Sequence, residues 1–126
     1  MEIKWKELKL MIVDDDAFLG EMIWRHLAKN WIDAIYARNW AEAVKIATSE
    51  KVDMIIMDLD MPIMWWIDAA KIITKEDPNS VILWFSWIMD ERRRSECIKA
   101  WMRWAYQKPN QIKEIVEDVK RRVLSS

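Results

Sequence analysis

The chain has 126 residues, 10 of them tryptophan and one of them glycine, where average usage would give roughly nine glycines. Hydrophobic content of 52% and charged content of 33% exclude a disordered or collagen-like chain. A net charge of −1 leaves no global field for nucleic acid or an anionic membrane surface.

Short apolar runs alternate with helical patterns along the chain. Leu8 to Val13 reads as a buried strand, and three aspartates follow it. Asp16 can cap a helix over Ala17 to Lys29, with Phe18, Met22, Ile23 and Leu27 expected on its buried face. Ile32 to Ala37 is the second strand. Asn39-Trp40-Ala41-Glu42 has the form of a capping box and opens a helix to about Ser49. Val52 to Met57 is almost entirely apolar, as expected of a strand covered on both faces. Asp58 to Met64 reads as a loop, followed by a helix to about Glu76 that Asp77-Pro78-Asn79 terminates. Val81 to Phe85 is the fourth strand, and a helix runs from about Asp90 to Met102. Ala105 to Gln107 is a weak fifth strand. The last helix, about Asn110 to Leu124, places Ile112, Ile115, Val116, Val119 and Val123 at three-to-four spacing.

Five strand–helix repeats with short connections predict an α/β domain, a parallel sheet with helices on both faces. No linker, internal repeat or low-complexity stretch divides it, so residues 1–126 are expected to form one domain. The longest apolar stretch, Val81 to Met89, is about half of what a membrane span needs, and the charged N-terminus does not read as a signal peptide. Cys97 is the only cysteine and cannot form an internal disulfide, which fits a reducing, cytoplasmic setting.

In a doubly wound sheet the functional crevice lies beyond the carboxyl ends of the strands. The polar residues fall there. Asp14, Asp15 and Asp16 follow the first strand, Asp58 and Asp60 the third, Ser86 the fourth and Lys108 the fifth. Carboxylates brought together repel unless a cation joins them. Short oxygen ligands suit Mg²⁺, which favours sites shared with phosphate. Lys108 and the Ser86 hydroxyl add a positive charge and a donor for phosphate oxygens, and a carboxylate can act as a nucleophile toward phosphorus. The self-consistent chemistry is Mg²⁺-assisted phosphoryl transfer onto an aspartate.

From about Lys9 to Leu124 the sequence resembles the receiver domain of two-component response regulators. The carriers are Met11-Ile12-Val13-Asp14-Asp15-Asp16, then Ile55-Ile56-Met57-Asp58-Leu59-Asp60-Met61-Pro62-Ile63-Met64, then Ser86, then Lys108-Pro109. The resemblance implies a flavodoxin-like fold, with five parallel strands in the order 2-1-3-4-5 and five helices. It implies Asp58 as the phosphoacceptor for a histidine kinase or phosphotransfer protein. Asp14 and Asp15 become the acidic pair for Mg²⁺, with Asp15 and Asp58 as direct ligands and Asp60 contributing its backbone carbonyl. Ser86 and Lys108 bind the phosphoryl group. Such a domain is a signalling switch rather than an enzyme, acting by docking to a downstream protein that the sequence does not name, with no direct role for nucleic acid or membrane.

Other residues carry blander readings. Asp16 alone is a helix cap, Arg92-Arg93-Arg94 a solvated face, His26 a surface or rim residue, and Cys97, Trp101 and Trp104 core. Two competing functions stand beside the switch. One is an engineered or degenerate receiver scaffold with impaired phosphorylation. The other is a small phosphatase of the haloacid-dehalogenase kind, which would use Asp58-Leu59-Asp60 as its D-x-D; Pro62 and the position after the third strand depart from that pattern.

The tryptophans are the main departure from a receiver. Trp65-Trp66 stands where the family usually has Asp-Gly or Asn-Gly, and Trp87 where a small residue follows the Ser or Thr, so crowding of the phosphate entrance is expected. Trp31, Trp40 and Trp101 stand near family glycines at helix ends and turns, where positive φ costs an L-residue about 1–2 kcal/mol. Either the backbone avoids that conformation there, or buried indole offsets it. Deliberate alteration and natural divergence both account for such a pattern. Ala105 occupies the position of the family's switch aromatic, with Tyr106 next to it.

Overall fold

The computed structural model describes residues 9–58, 63–86, 90–99, 104–107 and 111–125. Asp60, Trp87, Trp101, Lys108 and Pro109 lie outside the described residues, as do the side chains of Trp65, Trp66, Arg93, Trp104 and Val123. Strand and helix alternate: β1 (Leu10–Val13), α1 (Ala17–Ala28), β2 (Ala34–Ala37), α2 (Trp40–Ser49), β3 (Met54–Asp58), α3 (Ile63–Glu76), β4 (Val81–Ser86), α4 (Glu91–Lys99), β5 (Trp104–Gln107) and α5 (Ile112–Ser125). All strand pairs are parallel, and the sheet order is β2-β1-β3-β4-β5, as the sequence implied.

Side chains alternate across a strand, and the sheet uses both sets. Met11, Val13, Ile55, Met57, Ile82 and Trp84 point into one core layer, shared with Ala43 of α2, Ala69, Ala70 and Ile73 of α3, and Cys97 of α4. Leu10, Ile12, Met54, Ile56, Leu83, Phe85 and Tyr106 point into the other. That layer contains Leu19, Ile23 and Leu27 of α1 and Ile112, Ile115, Val116 and Val119 of α5. Burial on both faces explains why the central strands read as unbroken apolar runs.

Several boundaries differ from the sequence reading. β3 starts two residues later than expected and extends through Asp58, because pairing with Phe85 continues the ladder beyond the apolar run. β4 likewise includes Ser86, paired with Gln107. β2 starts at Ala34, although Ile32 ahead of it is still buried. Phe18 was expected in the core and is 71% exposed. The buried stripe of α1 is Leu19, Ile23 and Leu27, a strict four-residue spacing that leaves Phe18 one step off the face. Asp16 caps α1 as expected, accepting from the N–H groups of Phe18 (3.0 Å) and Leu19 (3.3 Å). Asn39 caps α2, accepting from the Glu42 N–H at 2.8 Å. Cys97 is buried; the His26 ring nitrogen Nδ1 lies 2.9 Å from the Met22 carbonyl; Arg92 is exposed.

Trp31 and Trp40, the tryptophans at suspected glycine positions whose side chains are described, behave differently. Trp40 is the first residue of α2 and packs partly buried against the first core layer, so its backbone avoids positive φ. Trp31 does not avoid it. At the end of α1 the Trp31 N–H donates to the Ala28 carbonyl (3.0 Å) and the Ile32 N–H to the Leu27 carbonyl (3.0 Å). This is the Schellman pattern, whose left-handed residue is usually glycine. Trp31 fills it at φ 63°, with its side chain 80% exposed, so neither expected escape from the strain operates here. Trp31→Gly is therefore expected to stabilise the fold by about 1 kcal/mol, the relief of about 1–2 kcal/mol being partly cancelled by the freer unfolded chain. Trp31→Ala, which keeps a Cβ, should gain little. Urea unfolding of the two variants checks this, and equal midpoints for both would contradict it.

Candidate functional site

The register of the sheet assembles the acidic cluster. Val13 pairs with Met57, and Met57 with Trp84. The next residue on each strand therefore lies on one line across the carboxyl edge: Asp14 after β1, Asp58 at the end of β3, and Phe85 with Ser86 closing β4. Asp14, Asp58 and Ser86 are all buried, whereas Asp15 is exposed. Carboxylate oxygens of Asp14, Asp15 and Asp58 all lie within 4.8 Å of one another. The structure thus brings together Asp14, Asp15 and Asp58, and sets Ser86 at the same edge of the sheet. The other two, Asp60 and Lys108, lie outside the described residues. Lys108 directly follows Gln107, which pairs with Ser86 at the same edge.

The turn after β1 is built from its own polar groups. The Asp14 N–H donates to the Ala37 carbonyl at 3.1 Å, carrying the β1–β2 ladder one residue further. The Asp16 N–H donates to Asp14 Oδ1 at 2.8 Å, an Asx-type turn that leads into the cap of α1. Asp16 is thus a structural cap rather than part of the cluster. Asp15 borders an open cleft of about 630 Å³, shared with Ala17, Glu21, Trp24, Tyr36 and Arg38, so its carboxylate is reachable from solvent.

Sequence reasoning missed two residues beside this turn. The Tyr36 hydroxyl, from β2, donates to the Asp14 backbone carbonyl at 2.7 Å. It reaches there across Gly20, the single glycine of the chain, in the middle of α1. A Cβ at Gly20 would stand 2.5 Å from Tyr36 Cε2 and 2.9 Å from its hydroxyl oxygen, closer than real Cβ contacts. Burial first, and then the Asp14 carboxylate, raise the Tyr36 phenol above its ordinary range, which keeps it a hydrogen-bond donor. An isolated glycine inside an amphipathic helix pattern was the available signal.

At the far edge, Tyr106 faces the α1–α5 layer and donates its hydroxyl to Asp118 of α5, whose other oxygen accepts from Arg122 Nε at 2.9 Å. By strand alternation Ser86 belongs with Trp84 on the opposite face. Tyr106 therefore does not replace the aromatic that Ala105 lacks.

Three close carboxylates repel strongly, and a hard divalent cation is the partner that offsets this with oxygen ligands alone. The donor set fits Mg²⁺. An open parallel sheet with such a cluster beyond its first and third strands defines a class, and the comparisons give it a family. The family model for the response regulator receiver domain matches residues 10–120. A chemotaxis protein CheY from Thermotoga maritima is 37% identical over 110 residues, 86% of this chain and 92% of that protein. A hybrid signal transduction histidine kinase G from Dictyostelium discoideum is 38% identical over 74 residues, 57% of this chain but 2% of the kinase. Among solved structures, the receiver domain of the Francisella response regulator 1452 superposes with a TM-score of 0.82 at 25% identity, over 92% of this chain and 96% of that one. The chain belongs to the response regulator receiver domain family of two-component signalling.

Proposed function

We propose that this receiver is a phosphoacceptor switch. It takes a phosphoryl group on Asp58 from the phosphohistidine of a histidine kinase or phosphotransfer protein and signals by docking to a downstream protein. The observation that carries the proposal is the meeting of Asp14, Asp15 and Asp58 within 4.8 Å at the carboxyl edge of the sheet. Asp14, Asp15 and Asp58 would hold Mg²⁺, with the Asp60 carbonyl as a further ligand. Bound there, Mg²⁺ supplies charge neutralisation for the phosphoryl oxygens.

An Asp58 carboxylate oxygen forms the new bond to phosphorus as the phosphorus–nitrogen bond of the donor breaks, and the departing imidazole nitrogen takes a proton from solvent. β3 holds Asp58 rigidly, because its backbone is still within the ladder. Ser86 would donate to one phosphoryl oxygen and Lys108 would pair with another. The product is a stoichiometric acyl phosphate, so the chain is not a turnover enzyme. No described helix is long and apolar enough to cross a membrane. The single cysteine of the chain, Cys97, supports a reducing, cytoplasmic setting.

Incubation with Mg²⁺ and a small phosphodonor, followed by intact mass measurement, tests the reading. One added phosphoryl group is expected on the wild type, none on Asp58→Asn and none with Mg²⁺ chelated. Uptake by Asp58→Asn would refute the assignment. No uptake by the wild type would leave a silent scaffold, and sustained hydrolysis of phosphate esters would favour the phosphatase.

A further inference from the structure

We infer that Tyr36, admitted by Gly20, is a positioning residue for the cation site: its phenol fixes the peptide plane that joins Asp14 to Asp15. The inference rests on the Mg²⁺ reading above and adds a residue to it. A peptide unit is planar, and its six atoms include the Cα of Asp14, the Asp14 carbonyl and the Cα of Asp15. The direction of the Asp14 carbonyl therefore sets how the two Cα–Cβ bonds are turned toward each other. Upstream, the preceding peptide plane is anchored by the Asp14 N–H on the Ala37 carbonyl. Downstream, the Asp16 N–H holds Asp14 Oδ1. The carbonyl between them is held by the Tyr36 hydroxyl at 2.7 Å.

The approach leaves no room for a side chain on α1. Glycine in a helix interior is disfavoured by roughly 1 kcal/mol relative to alanine, yet the chain's single glycine stands there. Its missing Cβ is the space that Tyr36 Cε2 and the hydroxyl occupy. Asp14 is buried and held by its neighbours, whereas Asp15 is exposed. Without the phenol, the peptide plane gains freedom to rotate, and Asp15 is the ligand whose aim is lost. Outer partners of this kind typically change metal affinity by 10–100-fold.

The test is calorimetric titration with Mg²⁺ alone, alongside melting of the cation-free protein. Tyr36→Phe keeps the ring and removes the hydroxyl; Gly20→Ala keeps the hydroxyl and displaces the ring. Each is expected to weaken Mg²⁺ binding about tenfold. The double variant should be no weaker than the weaker single variant, because both release the same carbonyl. A tyrosine that only packs would lower the melting temperature and leave the Mg²⁺ affinity of the folded protein unchanged; that result for Tyr36→Phe overturns the inference. If Tyr36→Phe does not fold, Gly20→Ala decides, and wild-type affinity in it overturns the inference. A wild type that binds no Mg²⁺ overturns the underlying reading as well, whereas a binding wild type with an unaffected Tyr36→Phe removes the inference alone.

Discussion

Trp84→Ala is expected to cost about 3–5 kcal/mol of stability, the range for removing a buried large aromatic side chain. Trp84 is fully buried in the middle of the sheet, paired with Met57 on one side and Ala105 on the other. On the helix side its layer includes small residues, Ala69 and Ala70 of α3 and Cys97 of α4, beside the larger Ile73. Short side chains there leave space for an indole, and the same shortness prevents them from filling a void. Against a typical total of 5–15 kcal/mol the loss removes much of the fold's stability. Urea unfolding measures it directly. A loss below about 1.5 kcal/mol would mean that α3 and α4 collapse onto the sheet, contrary to this packing. Since Asp58 and Ser86 adjoin this strand pair, the variant should also weaken Mg²⁺ binding.

The second large effect lies at Tyr106 and Asp118. Asp118→Ala should cost about 2–3 kcal/mol at neutral pH, because it leaves a buried hydroxyl without its acceptor and removes the bond from Arg122 Nε to Asp118 Oδ1. The same contact predicts an alkaline limb. Burial first, then the hydrogen bond to Asp118 and its charge, push the Tyr106 phenol well above its ordinary value of 10.0. Below pH 10 the phenol is neutral in both states and the contribution is complete. Above it the unfolded chain releases the proton first, so stability falls as pH rises toward the folded value. The expected slope from this group is about 1 kcal/mol per pH unit, near the limit for one proton. Tyr106→Phe should be flatter by that amount between about pH 10 and 11.5. Parallel curves for wild type and variant would contradict the assignment.

The parts of this fold that were legible in the sequence are those decided locally or by burial alone. Val81 to Phe85 and Leu10 to Val13 read as strands because both faces of the sheet are covered. Asp16 and Asn39 read as caps because the capping bonds span two or three residues. The convergence of Asp14, Asp15 and Asp58 followed from strand ends in a doubly wound order. What escaped depends on geometry between elements. Phe18 and Leu19 are adjacent apolar residues, and only the docking of α1 chooses between them. Asp58 belongs to the ladder because β4 pairs with it, which its polar character hides. Trp31 and Trp40 look alike as substitutes for glycine, yet one closes a helix in the left-handed region and the other opens a helix. Tyr36 and Gly20 meet only once β2 lies beside β1.

Among the described residues, the exposed Trp31 and the sealed Trp84 are two optical extremes. An aqueous quencher such as iodide reaches the first indole freely and cannot touch the second until the sheet opens. Steady emission is thus a mixture of components that respond to different events. Trp31→Gly deletes a solvent-relaxed component, and the light that iodide fails to quench in that variant still contains the buried Trp84.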